Sequence, residues 1–260
     1  MKLLSSLVML LLLTACSSNG LRLDTNHPSA NFDSRAQYVI VHYTTAPLER
    51  SLALLTHGEV SSHYLIGDQQ YPVVYKLVDE NLRAWHAGES EWEGRTWLNS
   101  SSIGIEIVNP GYRDLPAGRV WYPYSEGQIQ ALTLLLKDIV KRNHIDPRHV
   151  IGHSDIAPQR KLDPGPLFPW KRLADEGLGI WPNAQDVAQR QAFMMNNLPS
   201  VSWFQQQLAQ LGYATPQTGE LDTATRRVVA AFQMHYRPER FDGQPDVQSA
   251  AILQVLNHHN

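Results

Sequence analysis

The period of the apolar positions changes several times along the chain. Residues 37–44 read QYVIVHYT, a nearly continuous apolar run that suits a strand buried on both faces. Residues 47–58 predict a short helix, with Pro47 in the first turn and Gly58 at the end. Residues 60–66 and 73–78 predict further strands. Residues 102–108, SIGIEIV, alternate strictly, so Ile103, Ile105 and Ile107 point one way and Gly104, Glu106 and Val108 the other. Residues 124–143 predict the clearest helix. Ser125 and Gln128 form a capping box there, and Ile129, Leu132, Leu136, Ile139 and Val140 form its apolar stripe. A short strand at 149–152 leads into a Pro- and Gly-rich loop, and a short helix spans 169 to about 177. Interleaved strands and helices predict an α/β domain with a mixed central β-sheet flanked by helices.

After residue 182 the pattern changes. Residues 183–199 are polar and end in Pro199, which reads as a linker, partly helical at most. Residues 201–211, closed by Gly212, predict a helix. Asp222 caps a second from 223 to about 235 that buries Val228, Val229 and Phe232. Pro245 opens a third, with Ala250, Leu253, Val255 and Leu256 at its apolar positions. A small C-terminal three-helix domain over 200–260 is therefore expected.

The first residues predict targeting. Lys2 precedes an apolar run at 3–13 that is too short to span a bilayer as a mature helix. It ends in Leu13-Thr14-Ala15-Cys16, the pattern of a bacterial lipoprotein signal at 1–15 cleaved before a lipidated Cys16. Residues 16–34 are rich in Ser, Asn and Asp and read as a tether. Ser17 after the cysteine predicts sorting to the periplasmic face of the outer membrane. Cys16 is the only cysteine of the 260 residues, so once it is acylated no disulfide and no thiolate metal ligand is available. The net charge of −3 gives no sign of a nucleic-acid partner.

The chemistry concentrates at three positions. His42 ends the first buried strand, His153 follows the strand at 149–152, and Asp163 comes ten residues later. Two imidazoles and one carboxylate form a known catalytic zinc set that leaves a fourth position open. Taken singly, each histidine reads as an ordinary buried or surface residue, as His27, His57, His144, His149, His235, His258 and His259 do. Spacing alone makes the metal site plausible and no more.

The stretches YVIVHYT, SSHYLI, AWHAG, SIGIEIVNP and IGHSDIAPQRKLDPGP occur in order across residues 35–182. This segment resembles the peptidoglycan amidase domain shared by phage lysozyme-type amidases, AmpD-like amidases and animal peptidoglycan recognition proteins. The resemblance implies Zn2+ on His42, His153 and Asp163. By its place in SIGIEI, Glu106 matches the family's acidic residue, a general base that later passes its proton to the leaving amine. In register with the family's lysine, Lys161 would stabilise the developing oxyanion, and Arg160 could hold a substrate carboxylate. His63, Tyr64, Trp85, His86 and Asn109 match other family positions, as substrate-binding residues of the cleft or as core residues. Residues 201–213 and 218–233 resemble the helical peptidoglycan-binding module of wall hydrolases, with a purely stabilising appendage as the alternative. A lipobox, this domain and that module together resemble a lipoprotein member of the family.

The implied reaction is hydrolysis of the amide between N-acetylmuramic acid, intact or anhydro, and the L-alanine of the stem peptide, in cell wall turnover and recycling. The implied partners are peptidoglycan, muropeptides and, through the lipid, a membrane, with a monomer expected. Two rivals stay open at this point. One is a recognition protein without catalysis, the other a glycosidase pairing Glu106 with Asp155 or Asp163.

Overall fold

A continuous apolar run is stable as a strand only where both faces are covered. The computed structural model, which describes residues 21 and 23–258, puts the run at 37–44 in that environment. The signal at 1–15, Cys16 and Ser17 lie outside the described residues. In chain order the elements are β1 (Tyr38–Tyr43), α1 (Leu48–His57), β2 (Tyr64–Ile66), β3 (Val74–Lys76), β4 (Glu91–Trp92), β5 (Arg95–Thr96), β6 (Ser102–Ile107), β7 (Tyr112–Leu115), β8 (Gly118–Trp121), α2 (Glu126–Asn143), β9 (Val150–Gly152), α3 (His153–Ile156), α4 (Trp170–Asp175), α5 (Ala184–Met194), α6 (Val201–Leu211), α7 (Thr223–Tyr236) and α8 (Val247–His258). The described residues ahead of Ser34 carry no helix or strand.

Five strands form one mixed sheet in the order β3-β2-β6-β1-β9. It is parallel except for the antiparallel pair β2–β3. Both faces of β6 are buried, so its alternation sorts side chains between two covered faces, not between core and solvent. Ile103, Ile105 and Ile107 join Val39, Val41 and Ile66 beneath Ile129, Leu132, Leu136 and Ile139 of α2. The α2 capping box forms as expected. The opposite face carries Ile40 and Ile151, and at its strand ends His42 and Glu106, which are parallel-register partners and therefore share a face. Crevices at the carboxyl ends of parallel strands are the usual ligand sites of such sheets.

Two expected strands are shorter than their patterns. The N–H of Ser61 pairs with the Trp85 carbonyl and that of His63 with the Gly104 carbonyl, so only Tyr64–Ile66 joins both neighbours. The polar segment at 183–199 contains α5, eleven residues capped by the Asn183 side chain. This is the partial helicity expected of the segment, weakly marked because Met194 is the only residue of the helix that is buried. The helices α6, α7 and α8 form where expected, capped by Ser200 and Asp222 at the first two. Their apolar faces do not close on themselves. Phe204, Leu208, Val228, Phe232 and Leu253 merge with Tyr38, Ile40, Ile151 and Ile156 in one cluster, and the described residues from Ser34 onward form one compact unit.

Candidate active site

Three donor atoms from two parts of the sheet converge. Nδ1 of His42, at the end of β1, lies 2.9 Å from Nδ1 of His153, the first residue after β9. Oδ2 of Asp163 lies 3.1 Å from the first and 3.0 Å from the second. All three residues are buried. Burial, then the neighbouring His153, lowers the His42 pKa to about 4, so the ring is neutral near pH 7. Burial raises the Asp163 carboxyl, and only protons on His153 and His42, through their charges and hydrogen bonds, outweigh it and hold the group far below the usual carboxylate range.

Hydrogen bonds behind the cluster assign the tautomers. The Ser102 hydroxyl donates to the Leu98 carbonyl at 2.6 Å, so toward Nε2 of His86, 3.2 Å away, it can only accept. His86 therefore carries its proton on Nε2 and accepts at Nδ1 from Nε2–H of His42, 3.0 Å away. That leaves Nδ1 of His42 as a bare lone pair. Nε2 of His153 lies 3.1 Å from the Ala87 carbonyl and 3.3 Å from the Arg160 guanidinium; the carbonyl, the shorter contact, takes an N–H there, which bares Nδ1 in the same way. Two lone pairs and a carboxylate oxygen then face one another with no proton among them, a donor set that a dication satisfies. Tetrahedral zinc, with ligands at about 2.0–2.2 Å, separates them by about 3.3–3.6 Å, a few tenths of an ångström wider than these spacings.

Glu106 borders the same cleft. Burial first, then the Asp163 charge, pushes its carboxyl up to about 8, with Lys161 acting in the opposite sense. Its Oε2 is buried and has no hydrogen-bond partner among the described residues. The cleft is also lined by Tyr43, Trp85, His86, Arg160 and Lys161. Trp85 is 59 % exposed at its rim.

Several residues matched to the family have other occupations. His63 is buried, accepts the Gly104 N–H at Nδ1 (2.9 Å) and contacts the Leu82 carbonyl through Nε2 (3.1 Å). The Tyr64 hydroxyl donates to Glu80 at 2.6 Å. Asn109 donates to the Tyr122 and Pro123 carbonyls and accepts from Gly111. None of these three lines the cleft, because each spends its polar atoms on the surrounding frame. The Arg160 guanidinium, although at the cleft wall, bonds the Ala87 and Glu89 carbonyls instead of standing free for a carboxylate. His86 lines the cleft and also backs His42. Its ring lies over Gly104, where a Cβ would fall 2.4 Å from the imidazole, so glycine is needed at that strand position.

The sequence reading passed over Ser102 and named Asp155 only as a glycosidase alternative. Ser102 sets the His86 tautomer. Asp155, buried and bonded by Tyr213 and His235, does not border the cleft, so it is not available as the second carboxylate of a glycosidase. A polar residue inside an apolar strand was the available signal for Ser102, the same signal that marked Glu106.

Comparison with known proteins bears on this geometry. The family model for N-acetylmuramoyl-L-alanine amidase matches residues 32–166, and the model for a putative peptidoglycan binding domain matches residues 197–253. The chain is 41 % identical over 259 residues to the N-acetylmuramoyl-L-alanine amidase AmiD of Escherichia coli K12, covering 95 % of this chain and 94 % of that protein. A structure of E. coli AmiD in complex with the substrate anhydro-N-acetylmuramic acid-L-Ala-D-gamma-Glu-L-Lys superposes with a TM-score of 0.85 over 93 % of this chain and 96 % of that one. AmpDh3 from Pseudomonas aeruginosa in complex with anhydromuramic pentapeptide is 38 % identical and superposes with a TM-score of 0.86, over 92 % and 98 %.

Proposed function

The chain belongs to the N-acetylmuramoyl-L-alanine amidase family, and on that premise we propose that it uses Zn2+ held by His42, His153 and Asp163 to release stem peptides from the N-acetylmuramic acid of peptidoglycan. The observation that carries this reading is the convergence of three deprotonated donors on one point. A zinc ion there supplies Lewis-acid chemistry, polarising a carbonyl and making water acidic enough to act as nucleophile near neutral pH.

The protein's own side chains do the rest. Ser102 and His86 fix the His42 tautomer, and the Ala87 carbonyl fixes that of His153. Glu106, with one oxygen unclaimed, takes the proton of the attacking water and returns it to the alanine nitrogen as the C–N bond breaks. The raised affinity of that carboxyl for a proton favours the first transfer, and the greater basicity of the departing amine nitrogen drives the second. Lys161, which lines the cleft, supplies the positive charge that stabilises the developing oxyanion. Trp85 offers an aromatic face at the rim to the sugar ring. The new oxygen ends on the muramyl lactyl carboxylate, and the peptide leaves as an amine.

The substrates of E. coli AmiD and P. aeruginosa AmpDh3 support anhydromuramyl peptides as substrates here. An enzyme anchored through lipid on Cys16 at the periplasmic face of the outer membrane also meets intact strands and takes both. The putative peptidoglycan binding domain match supports a wall-binding role for the C-terminal helices, and the work of the enzyme is wall turnover and recycling. Purified wall and soluble anhydromuropeptides, digested with and without chelator and read by mass spectrometry, test the reading. Free stem peptides and bare glycans are expected, and none after chelation. New reducing ends on intact stems would overturn the amide assignment, and full turnover after chelation the metal. Incorporation of labelled palmitate by the parent but not by Cys16→Ser tests the anchor.

A further inference from the structure

His153 opens a turn that is held from behind by Asp155. Oδ2 of Asp155 accepts the Gly152 N–H at 2.7 Å, and the residue is 1 % exposed. A carboxylate so deeply buried requires donors on its remaining lone pairs. Both side-chain donors come from the C-terminal helical region. The Tyr213 hydroxyl donates to Oδ1 at 2.7 Å, and Nδ1 of His235 lies 2.8 Å from Oδ2.

These donors are themselves fixed. The His235 ring is stacked between Trp170 and Tyr236, with centroids 4.0 and 4.1 Å away. Tyr213 follows Gly212, whose carbonyl accepts the Glu93 N–H at 2.8 Å. Gly212 has φ 122°, and a Cβ there would fall 2.6 Å from the Trp92 ring, so the chain can approach the β4–β5 hairpin only with glycine at this position. Further along the same loop, the Gln159 side chain donates to the Ala224 carbonyl and Arg227 donates to the Gln159 carbonyl, both at 3.0 Å. The stretch 153–163, which carries two of the three converging donors, is thus fastened to the C-terminal helices at several points.

We infer that the C-terminal helical region positions the metal-binding turn: Tyr213 and His235 hold Asp155, and Asp155 holds the turn that presents His153. This rests on the proposed reading of His153 as a zinc ligand. It is separate from wall binding, which raises the local concentration of an insoluble substrate and leaves a soluble one untouched. Positioning changes the metal site itself and therefore affects every substrate.

The test uses the full chain carrying Tyr213→Phe, His235→Leu, both together, or His235→Asn, whose amide nitrogen can stand in for Nδ1. The measurements are zinc affinity by chelator competition, kcat and KM on a soluble anhydromuropeptide, and the visible spectrum of the cobalt-loaded protein. Loss of an outer partner of a metal ligand costs roughly 10–100-fold in affinity or activity. Tyr213 and His235 act through Asp155 and touch no ligand atom, so His235→Leu and the double variant are expected to lose zinc affinity at the low end of that scale, about tenfold. Their kcat falls, KM stays near the parent's, and the cobalt spectrum is altered. Tyr213→Phe shows a smaller loss, and His235→Asn recovers affinity and spectrum together. If the leucine variants do not fold, Tyr213→Phe, which removes only a hydroxyl, decides. Parent-like zinc affinity and soluble-substrate kcat in a folded Tyr213→Phe or His235→Leu protein, or losses confined to insoluble wall, overturn the inference while the zinc reading stands. A parent protein that binds no zinc overturns both.

Discussion

Two buried carboxylates eight positions apart, Asp155 and Asp163, each face histidine, and they are bonded in opposite ways. Around Asp155 every contact pairs an acceptor with a donor: Gly152 N–H, the Tyr213 hydroxyl and His235 Nδ1. Around Asp163 the contacting atoms are the bare Nδ1 positions of His42 and His153, whose protons are committed elsewhere. The same residue types therefore make a closed structural lock in one place and an open donor cluster in the other. Buried polar groups are nearly always satisfied within a protein, so a cluster left without protons suits a cation, and the Glu106 oxygen that borders the same cleft has no partner either. Chemistry is distinguished from structure here by which lone pairs remain unclaimed, not by residue type or burial.

The sharpest way to break this contrast is to remove a donor from the open cluster. His153→Ala should abolish stoichiometric zinc binding and reduce turnover beyond the roughly 100-fold upper range expected of an outer partner. Metal analysis and muropeptide assays check it. Removing zinc from the parent by chelation should give the same loss, restored by adding zinc. A His153→Ala protein that retains parent-like zinc and turnover would show that the two clusters do not differ in kind.

Glu106→Gln comes next. Turnover should fall roughly 100-fold or more with zinc still bound, the usual scale for an acid–base group. Stability should move in the opposite direction. The Glu106 carboxyl lies at about 8 in the folded metal-free chain against an ordinary value of 4.5. Its contribution to stability is fully present below 4.5 and is lost as pH rises through about 8. Above pH 8 the metal-free glutamine variant should therefore be more stable than the parent, by at most about 5 kcal/mol. Below pH 4.5 the difference should vanish. Urea unfolding of both proteins across that range checks the slope. With the dication bound, the carboxylate is favoured, and the acid limb of the rate profile should fall below 8.

Much of the open cluster was legible in the sequence, and almost none of the closed one. The run at 37–44, the alternation at 102–108 and the capping box of α2 are local patterns, and each produced its element. His42, His153, Asp163, Glu106 and Lys161 lie in contiguous motifs, and the structure gathers them around one cleft. The partners of Asp155 lie 58 and 80 residues away and leave no period or spacing, so His235 read as an ordinary histidine. His63, Tyr64 and Asn109 matched the family by position, yet position does not show that their polar atoms face the frame and not the cleft. Polar composition left α5 visible only as partial helicity of a linker, and the hairpin β7–β8 was hidden by its two short, exposed strands.

The finest test of the contrast lies one bond further back, at Ser102. Its hydroxyl proton is committed to the Leu98 carbonyl, and that commitment is passed through His86 to His42 as a choice of tautomer. Ser102→Ala removes the acceptor that holds the His86 proton on Nε2. His86 can then carry its proton on Nδ1 and donate to His42, which would place the His42 proton on the nitrogen that faces Asp163. Zinc binding must reverse that exchange, so affinity should fall by about tenfold, the low end for an outer partner. His86→Asn, which offers a carbonyl oxygen to Nε2–H of His42, should retain more affinity than His86→Leu, which offers none. Chelator competition measures affinity in all three, and nitrogen NMR of the metal-free rings reports the tautomer directly. An unchanged His42 tautomer in Ser102→Ala would mean that the open cluster is set by its own packing alone. A switched tautomer with weakened zinc would show that one buried hydroxyl, outside the cleft, decides that the lone pairs are left unclaimed.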